Sequence, residues 1–251
     1  MKIKFLALSA AMMISTTSFA QFSQSKNFSN SSNEISKGWN SLYVQYNSIG
    51  TSYSLSSLND EKGDYGDMIQ KMIDDSGLSE KLDAVSIGYN RAINLTPSAP
   101  LYLEIGAALQ YAFYSDEIDL NHETKITGSM LTAKIPVSLL YHVAIPNSDF
   151  AIEPFAGIDF KYNIIGTAKS EETYKNYGET KKEEEKIDNI FDKKDCVGHP
   201  ANRFQAGWHV GANFVYKKAF IGVSYGKDFS KFHDDIDLKF NTLSATLGCR
   251  F

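Results

Sequence analysis

Seven charged residues sit inside alternating, mostly uncharged stretches of this chain: Glu104, Lys134, Glu153, Asp159, Lys161, Lys239 and Arg250. A charge withdrawn from water has to be paired and hydrogen-bonded, so their placement predicts an interior ion-pair network. If Val143 faces Phe150 across a turn, Lys134 stands opposite Asp159, and a salt bridge there is the economical expectation. The alternative use of such a ladder is an ion-conducting path. Five histidines could move protons or bind metal, at His122, His142, His199, His209 and His233. None has His-x₃-His or HExxH spacing, so no metal site is predicted. Asp60, Glu61, Asp64 and Asp67 lack the ordered ligands and turn glycine of a calcium loop and read as solvated surface. A nucleophilic site needs a base, a nucleophile and an orienting partner. With Tyr216 opposite Ala219, Gly211 faces Ser224, so His209 reaches Ser224 only diagonally and without a third member. The reading therefore assigns no catalytic residue and no cofactor, and it points away from an enzyme.

The elements that must position these groups are strands. Period-two alternation recurs eight times: about Trp39–Tyr46, Ala84–Ile93, Leu101–Tyr114, Thr127–Val143, Phe150–Ile164, Phe204–Tyr216, Ala219–Lys227 and Ile236–Phe251. In the third, Leu101, Leu103, Ile105, Ala107, Leu109, Tyr111 and Phe113 oppose a face carrying Glu104 and Gln110. The fourth and fifth put Lys134 and Ser138, then Glu153, Asp159, Lys161 and Asn163, opposite their apolar faces. His142 and His209 also point to the polar side, as lumen hydrogen-bonders. The phase of the eighth changes near Phe240–Leu243, which predicts a bulge, a different strand boundary or a frayed outer half.

The connections alternate in length. Asn94–Pro100, Ala144–Asp149 and Lys217–Lys218 are short; Asn47–Asp83, Ser115–Ile126, Gly166–Arg203 and Asp228–Asp235 are longer. Short turns at one rim and long loops at the other are the pattern of a transmembrane barrel. The loops at about 47–83 and 166–203 carry whatever external ligand or protein site exists. Tyr174, Tyr177, Ile190 and Phe191 mark the second, while residues 67–82 (DMIQKMIDDSGLSEKL) show a helical stripe. Aromatics near strand ends, including Tyr46, Phe113, Tyr141, Phe150, Tyr162, Phe204 and Tyr216, suit a headgroup girdle.

The termini agree. Met1–Ala20 has Lys2 and Lys4, an apolar stretch and a small-residue end, the pattern of a signal peptide cleaved after Ala20. Gln21–Lys37 is a polar leader, placed in the periplasm. Without Lys2 and Lys4 the chain carries 23 basic against 30 acidic residues, which argues against nucleic acid as a partner. Cys196 and Cys249 could bridge in an oxidising compartment, although opposite ends of a barrel would keep them apart.

The alternating segments, the phrases LYLEIGAALQYAF and IEPFAGIDFKY, and the closing LSATLGCRF ending in Phe251 carry a resemblance. The chain resembles the small porin-like outer-membrane β-barrel proteins of Gram-negative bacteria, most closely those of the Bacteroidota. The resemblance implies a monomeric, all-β, eight-stranded antiparallel transmembrane β-barrel over 38–251, in contact with outer-membrane lipids. It implies insertion by the barrel-assembly machinery, with Phe251 in the recognised last strand and both mature termini periplasmic. The expected role is structural or surface-interacting. A narrow pore for ions or small solutes and a lipid-modifying enzyme are the alternatives, and a soluble β-sandwich is the competing fold.

Overall fold

The computed structural model describes residues 36–52, 81–119, 123–176, 179–196, 200–233 and 238–251. The expected signal peptide, nearly all of the polar leader, and the helical stripe as far as residue 80 lie outside these residues. The strands are β1 (Gly38–Ser52), β2 (Lys81–Thr96), β3 (Ala99–Asp119), β4 (Glu123–Tyr141) and β5 (Val143–Ala144). They continue with β6 (Phe150–Asn176), β7 (Glu179–Ile187), β8 (Phe204–Tyr216), β9 (Ala219–Asp228) and β10 (Lys239–Arg250).

All ten belong to one antiparallel sheet, which corrects the expectation of eight strands. Two physical features account for the difference. The ladder breaks at His142, whose amide donates to Pro100 O at 2.9 Å, and this sets β5 apart from β4. The segment expected to be the long 166–203 loop instead extends β6 and folds back as β7, which pairs with β6 from Ala168↔Ile187 to Asn176↔Glu179.

The sheet returns on itself. Pairings run β1–β2, β2–β3, β3–β4, β4–β6, β6–β8, β8–β9 and β9–β10. β10 then pairs with β1, from Ser41↔Arg250 to Ser52↔Lys239. Two further bonds close the lower rim, Asn40 N to Phe251 O at 3.1 Å and Phe251 N to Asn40 O at 3.0 Å. The result is a ring with an inside and an outside. Because side chains alternate along a strand, the pattern read from sequence becomes a radial one. Ile87 and Leu243 on the outside are 59% and 61% exposed, whereas Asn47, Glu153 and Asn163 on the inside are 0% exposed. A soluble sandwich would have its apolar faces meet; here they point outward.

Two details of register differ from expectation. Ala144 pairs with Ala151, and Ile145 N donates to Phe150 O at 2.9 Å, so the hairpin loop is Pro146–Asp149 with Asn147 at φ 58°. Lys134 therefore lies opposite Lys161, and Asp159 opposite Pro136. A slip of two residues leaves every side chain on its own face and changes only its neighbours across the ladder. The β1–β10 register contains no shift from residue 239 to 250, so the expected bulge in the last strand is absent. Phe240 breaks the apolar-out rhythm because it turns inward and is buried. The one irregularity in β4–β6 falls between Leu131 and Thr132, where Ile164 and Ile165 are both exposed.

Beyond the apolar band, the ends of β3, β4, β6 and β7 continue as a polar blade. Lys125 pairs with Glu117 at 2.9 Å, Lys169 with Glu171 at 2.5 Å and Glu184 at 3.1 Å, and Lys186 with Asp188 at 2.6 Å. Hydrogen bonding to the Lys169 ammonium holds the Glu171 carboxyl below its usual range. Charged β7 pairs on one side only, and charge on such an edge discourages another strand from adding to it.

The register is testable by cross-linking. With Cys196→Ser and Cys249→Ser as background, Lys134→Cys paired with Lys161→Cys should form a disulfide readily, because directly opposed Cβ atoms lie roughly 5 Å apart. Lys134→Cys with Asp159→Cys should cross-link far more slowly. The reverse order would support the sequence-based register.

Candidate functional site

The interior is layered from the terminal rim outward. The floor is built from Trp39, Ala92, Tyr102 and Leu140, all buried, with Phe155 against them. Arg250 enters from the last strand, its guanidinium 4.2 Å from the Trp39 ring centroid and 5.5 Å from that of Phe220. Its Nη1 donates to Glu153 Oε1 at 2.7 Å, and Nη2 contacts Oε2. His142 Nδ1 lies 2.6 Å from the same Oε1. The planar fork suits a carboxylate and its face suits an aromatic ring, so one arginine satisfies both neighbours. This cluster crosses the ring from β10 to β6 and joins strands that share no ladder.

Above the floor lies a polar chamber of about 80 Å³, lined by Glu104, Lys134, Ser138, Asp159, His209 and Asp228 among others. Ser138 Oγ lies 2.7 Å from His209 Nε2, and His209 Nδ1 lies 3.1 Å from Asp159 Oδ2, a contact off the ideal hydrogen-bond direction. Lys161 Nζ donates to Asp228 Oδ1 at 2.6 Å. Asn90 Nδ2 donates to Glu104 Oε1 at 2.9 Å. Amide and hydroxyl bridges complete the wall: Asn47 to Ser86 at 2.9 Å, Ser244 to Asn47 at 2.7 Å, and Thr132 to Asn163 at 2.8 Å.

The outer end is apolar. Ile49, Ala84, Ala112, Met130, Phe191, Ala201 and Phe240 form one buried cluster, with Leu82, Ile190 and Phe232 packed on it. Phe191 and Phe240 meet Phe232 at centroid distances of 5.9 Å and 4.9 Å. The covering segment is tied down by Ile190 N to Gly166 O at 2.8 Å and by Arg203 to Asp192 at 2.6 Å. Gly166 lies directly beneath this cover, where a Cβ would come within 2.9 Å of the Ile190 and Phe191 side chains.

Six of the seven charges expected inside are thus sorted, while Lys239 has the parity of outward-facing Leu243 on β10 and does not line the chamber. Glu153 and Arg250 meet directly, and Lys161 takes a partner that the sequence reading did not name, Asp228. Asp159 approaches His209, Glu104 approaches Asn90, and Lys134 lines the chamber between them. The expected Lys134–Asp159 ladder pair is replaced by Lys134 opposite Lys161. Strand adjacency points His209 toward Ser224, whereas its hydrogen-bond partner is Ser138, two strands away across β6. Cys196 and Cys249 are free thiols. Among the described residues no group of His, Cys, Asp and Glu could hold a metal ion.

The fold and interior define a closed antiparallel β-barrel with an apolar exterior and a charge-paired lumen. No family model and no curated protein matches the chain. Among solved structures it is similar to Ail, the attachment invasion locus protein of Yersinia pestis, at 13% identity and a TM-score of 0.39, covering 86% of this chain and 100% of that one. It is similar to the outer membrane enzyme PagL at 10% identity and 0.40, covering 82% and 98%. Neisserial surface protein A gives 12% and 0.34, covering 84% and 97%. These likenesses assign no activity, ligand or partner to this chain.

Breaking the floor pair should be costly. Glu153→Ala leaves the Arg250 guanidinium buried beside aromatic rings and should destabilise the barrel by about 3–5 kcal/mol. Urea unfolding in lipid vesicles measures this. Adding Arg250→Met should recover much of the loss, and an additive double variant would show that the two residues do not act as a pair.

Proposed function

We propose that this chain is an outer-membrane β-barrel protein with a structural or surface-interaction role. The observation that carries the reading is inverted polarity: the large exposed side chains, from Ile87 and Leu109 to Ile158, Val223 and Leu243, are apolar and ring the outside. The fully buried polar side chains include Glu153, Asn163 and Gln205 inside. Water favours the opposite arrangement, whereas lipid requires this one, together with a sheet that leaves no unpaired edge in the hydrocarbon.

On this reading the apolar band contacts outer-membrane lipids and the Asn40–Phe251 rim faces the periplasm with both mature termini. Phe251 and the outward face of β10 are the signal read by the barrel-assembly machinery. The protein is monomeric, and its acidic balance disfavours nucleic acid. Glu104, Lys134, Glu153, Asp159, Lys161 and Arg250 serve as a structural lumen network rather than an ion path. Support for that comes from the Trp39–Arg250–Glu153 floor and the Ile190–Phe191 cover at opposite ends of the chamber. External specificity falls to the charged β6–β7 blade and the loops around it.

Two measurements test the proposal. Refolded protein should show heat-modifiable gel mobility yet no steady single-channel steps in planar bilayers; regular conductance would favour the pore reading. Leu109→Arg, at the middle of the apolar band, should cost about 2–4 kcal/mol of folding stability in a bilayer, and Leu95→Arg near the rim about 0–1 kcal/mol. Equal effects at the two depths would argue against a membrane-spanning barrel.

A further inference from the structure

We propose that Ser138, His209 and Asp159 form a nucleophilic site inside the barrel that acts on small carboxylic esters. The three come from different strands, β4, β8 and β6, and meet because of what β6 lacks. Gly157 is paired with Ser138 on one side and with His209 on the other. A Cβ at Gly157 would lie 2.2 Å from Val137 O and 2.8 Å from both His209 Nε2 and Ser138 Cα, so glycine there lets β4 approach closely and leaves the space over the strand in which the serine and imidazole meet. Two residues further along the same face, Asp159 presents Oδ2 to the other ring nitrogen at 3.1 Å. Phe155 lies against the imidazole at a centroid distance of 5.9 Å, near edge-on, and limits its rotation.

Ser138 Oγ is hydrogen-bonded to Nε2, and Asp159 Oδ2 lies beside Nδ1 without a hydrogen bond between them, so a small turn of the imidazole or the carboxylate completes the order that acyl transfer requires. The other interior contacts described are amide and hydroxyl bridges, cation–carboxylate pairs and the His142–Glu153 contact, which has no hydroxyl on the ring's other nitrogen among its hydrogen bonds. This one places a nucleophile, a base and an acid in series, with all three lining the same chamber. The volume of about 80 Å³ admits a few waters and a small acyl group, not a lipid chain.

The chemistry balances with water as co-reactant. Ser138 Oγ forms a bond to the ester carbonyl carbon while its proton passes to His209 Nε2. The tetrahedral intermediate expels the alkoxide, which takes that proton and leaves as the alcohol. Water then gives a proton to Nε2 and its oxygen bonds to the acyl carbon. The Ser138 Oγ–carbon bond breaks, the proton returns to Oγ, and the carboxylic acid departs. The inference needs only the barrel interior, and it holds or fails independently of the membrane assignment.

The test is labelling of the refolded full-length chain with methanesulfonyl fluoride, an electrophile small enough for the chamber, with the adduct mapped by peptide mass spectrometry. A single adduct on Ser138 is expected, absent in Ser138→Ala. His209→Asn should slow its formation by on the order of 10²-fold, and Gly157→Ala should also slow it. Heat-modifiable mobility shows that each variant retains the barrel. Ser138→Cys treated with methyl methanethiosulfonate reports access independently of activation. Wild-type protein that is not labelled at Ser138 overturns the proposal, whether or not the cysteine reacts, and so does labelling that His209→Asn leaves unchanged in rate.

Discussion

Closure of the ladder between β1 and β10 is the constraint on which the rest depends. Without it, Gly38–Ser52 and Lys239–Arg250 would each present a row of free amides and carbonyls, and no surface of the sheet would be strictly inside. With it, alternation along every strand is converted into two environments of opposite polarity. The same step lets Arg250, one residue from the end of the chain, reach Glu153 and stand over Trp39 near the other end of the sheet. Ring closure and the floor cluster therefore support each other: the ladder brings the arginine in, and the carboxylate holds it there.

Interior charge is tolerated because each group has a local answer. Glu153 accepts from Arg250 and His142, and Asp228 accepts from Lys161. Glu104 accepts from an amide at 2.9 Å and not from an ion. Lys134 and Lys161 stand directly opposite each other, an arrangement that repels unless carboxylates flank it. Asp159 and Asp228 line the same chamber and supply that flank. Swapping such a network for apolar residues of similar volume would cost little stability in principle. Its retention is better understood as setting which side chains meet across the lumen than as adding free energy.

What was legible in the sequence was what alternation encodes. The outward faces of Leu101–Phe113 and Phe204–Tyr216, the inward set Glu153, Asp159, Lys161 and Asn163, and the two-residue turn at Lys217–Lys218 were all readable. Side-chain direction depends only on parity. Register is not a parity property, and the four-residue turn Pro146–Asp149 moved Asp159 away from Lys134 without disturbing any face. The strand count failed for a related reason. β7 is glutamate- and lysine-rich and has no apolar face to alternate, so its pairing with β6 left no periodic trace. Phe240 misled in the opposite direction, since an inward aromatic in a barrel resembles a phase error unless the apolar cover it joins is known.

That cover and the Ser138–His209 contact share one cause, and it explains why neither was visible beforehand. Both depend on a glycine in β6 that a large side chain from elsewhere crosses: Gly166 beneath Ile190 and Phe191, and Gly157 beneath His209. In a linear reading each glycine is merely a small residue on the polar face of a strand. Its meaning comes from a partner 24 to 52 positions away, Ile190 on the segment after β7 in one case and His209 on the paired strand β8 in the other. A ring of this size has an interior narrow enough for side chains from non-adjacent strands to touch. The absence of a Cβ then determines where they do so. The placement of small residues along β6 thereby sets both the outer seal and the position of the one serine–histidine–carboxylate series described within the barrel.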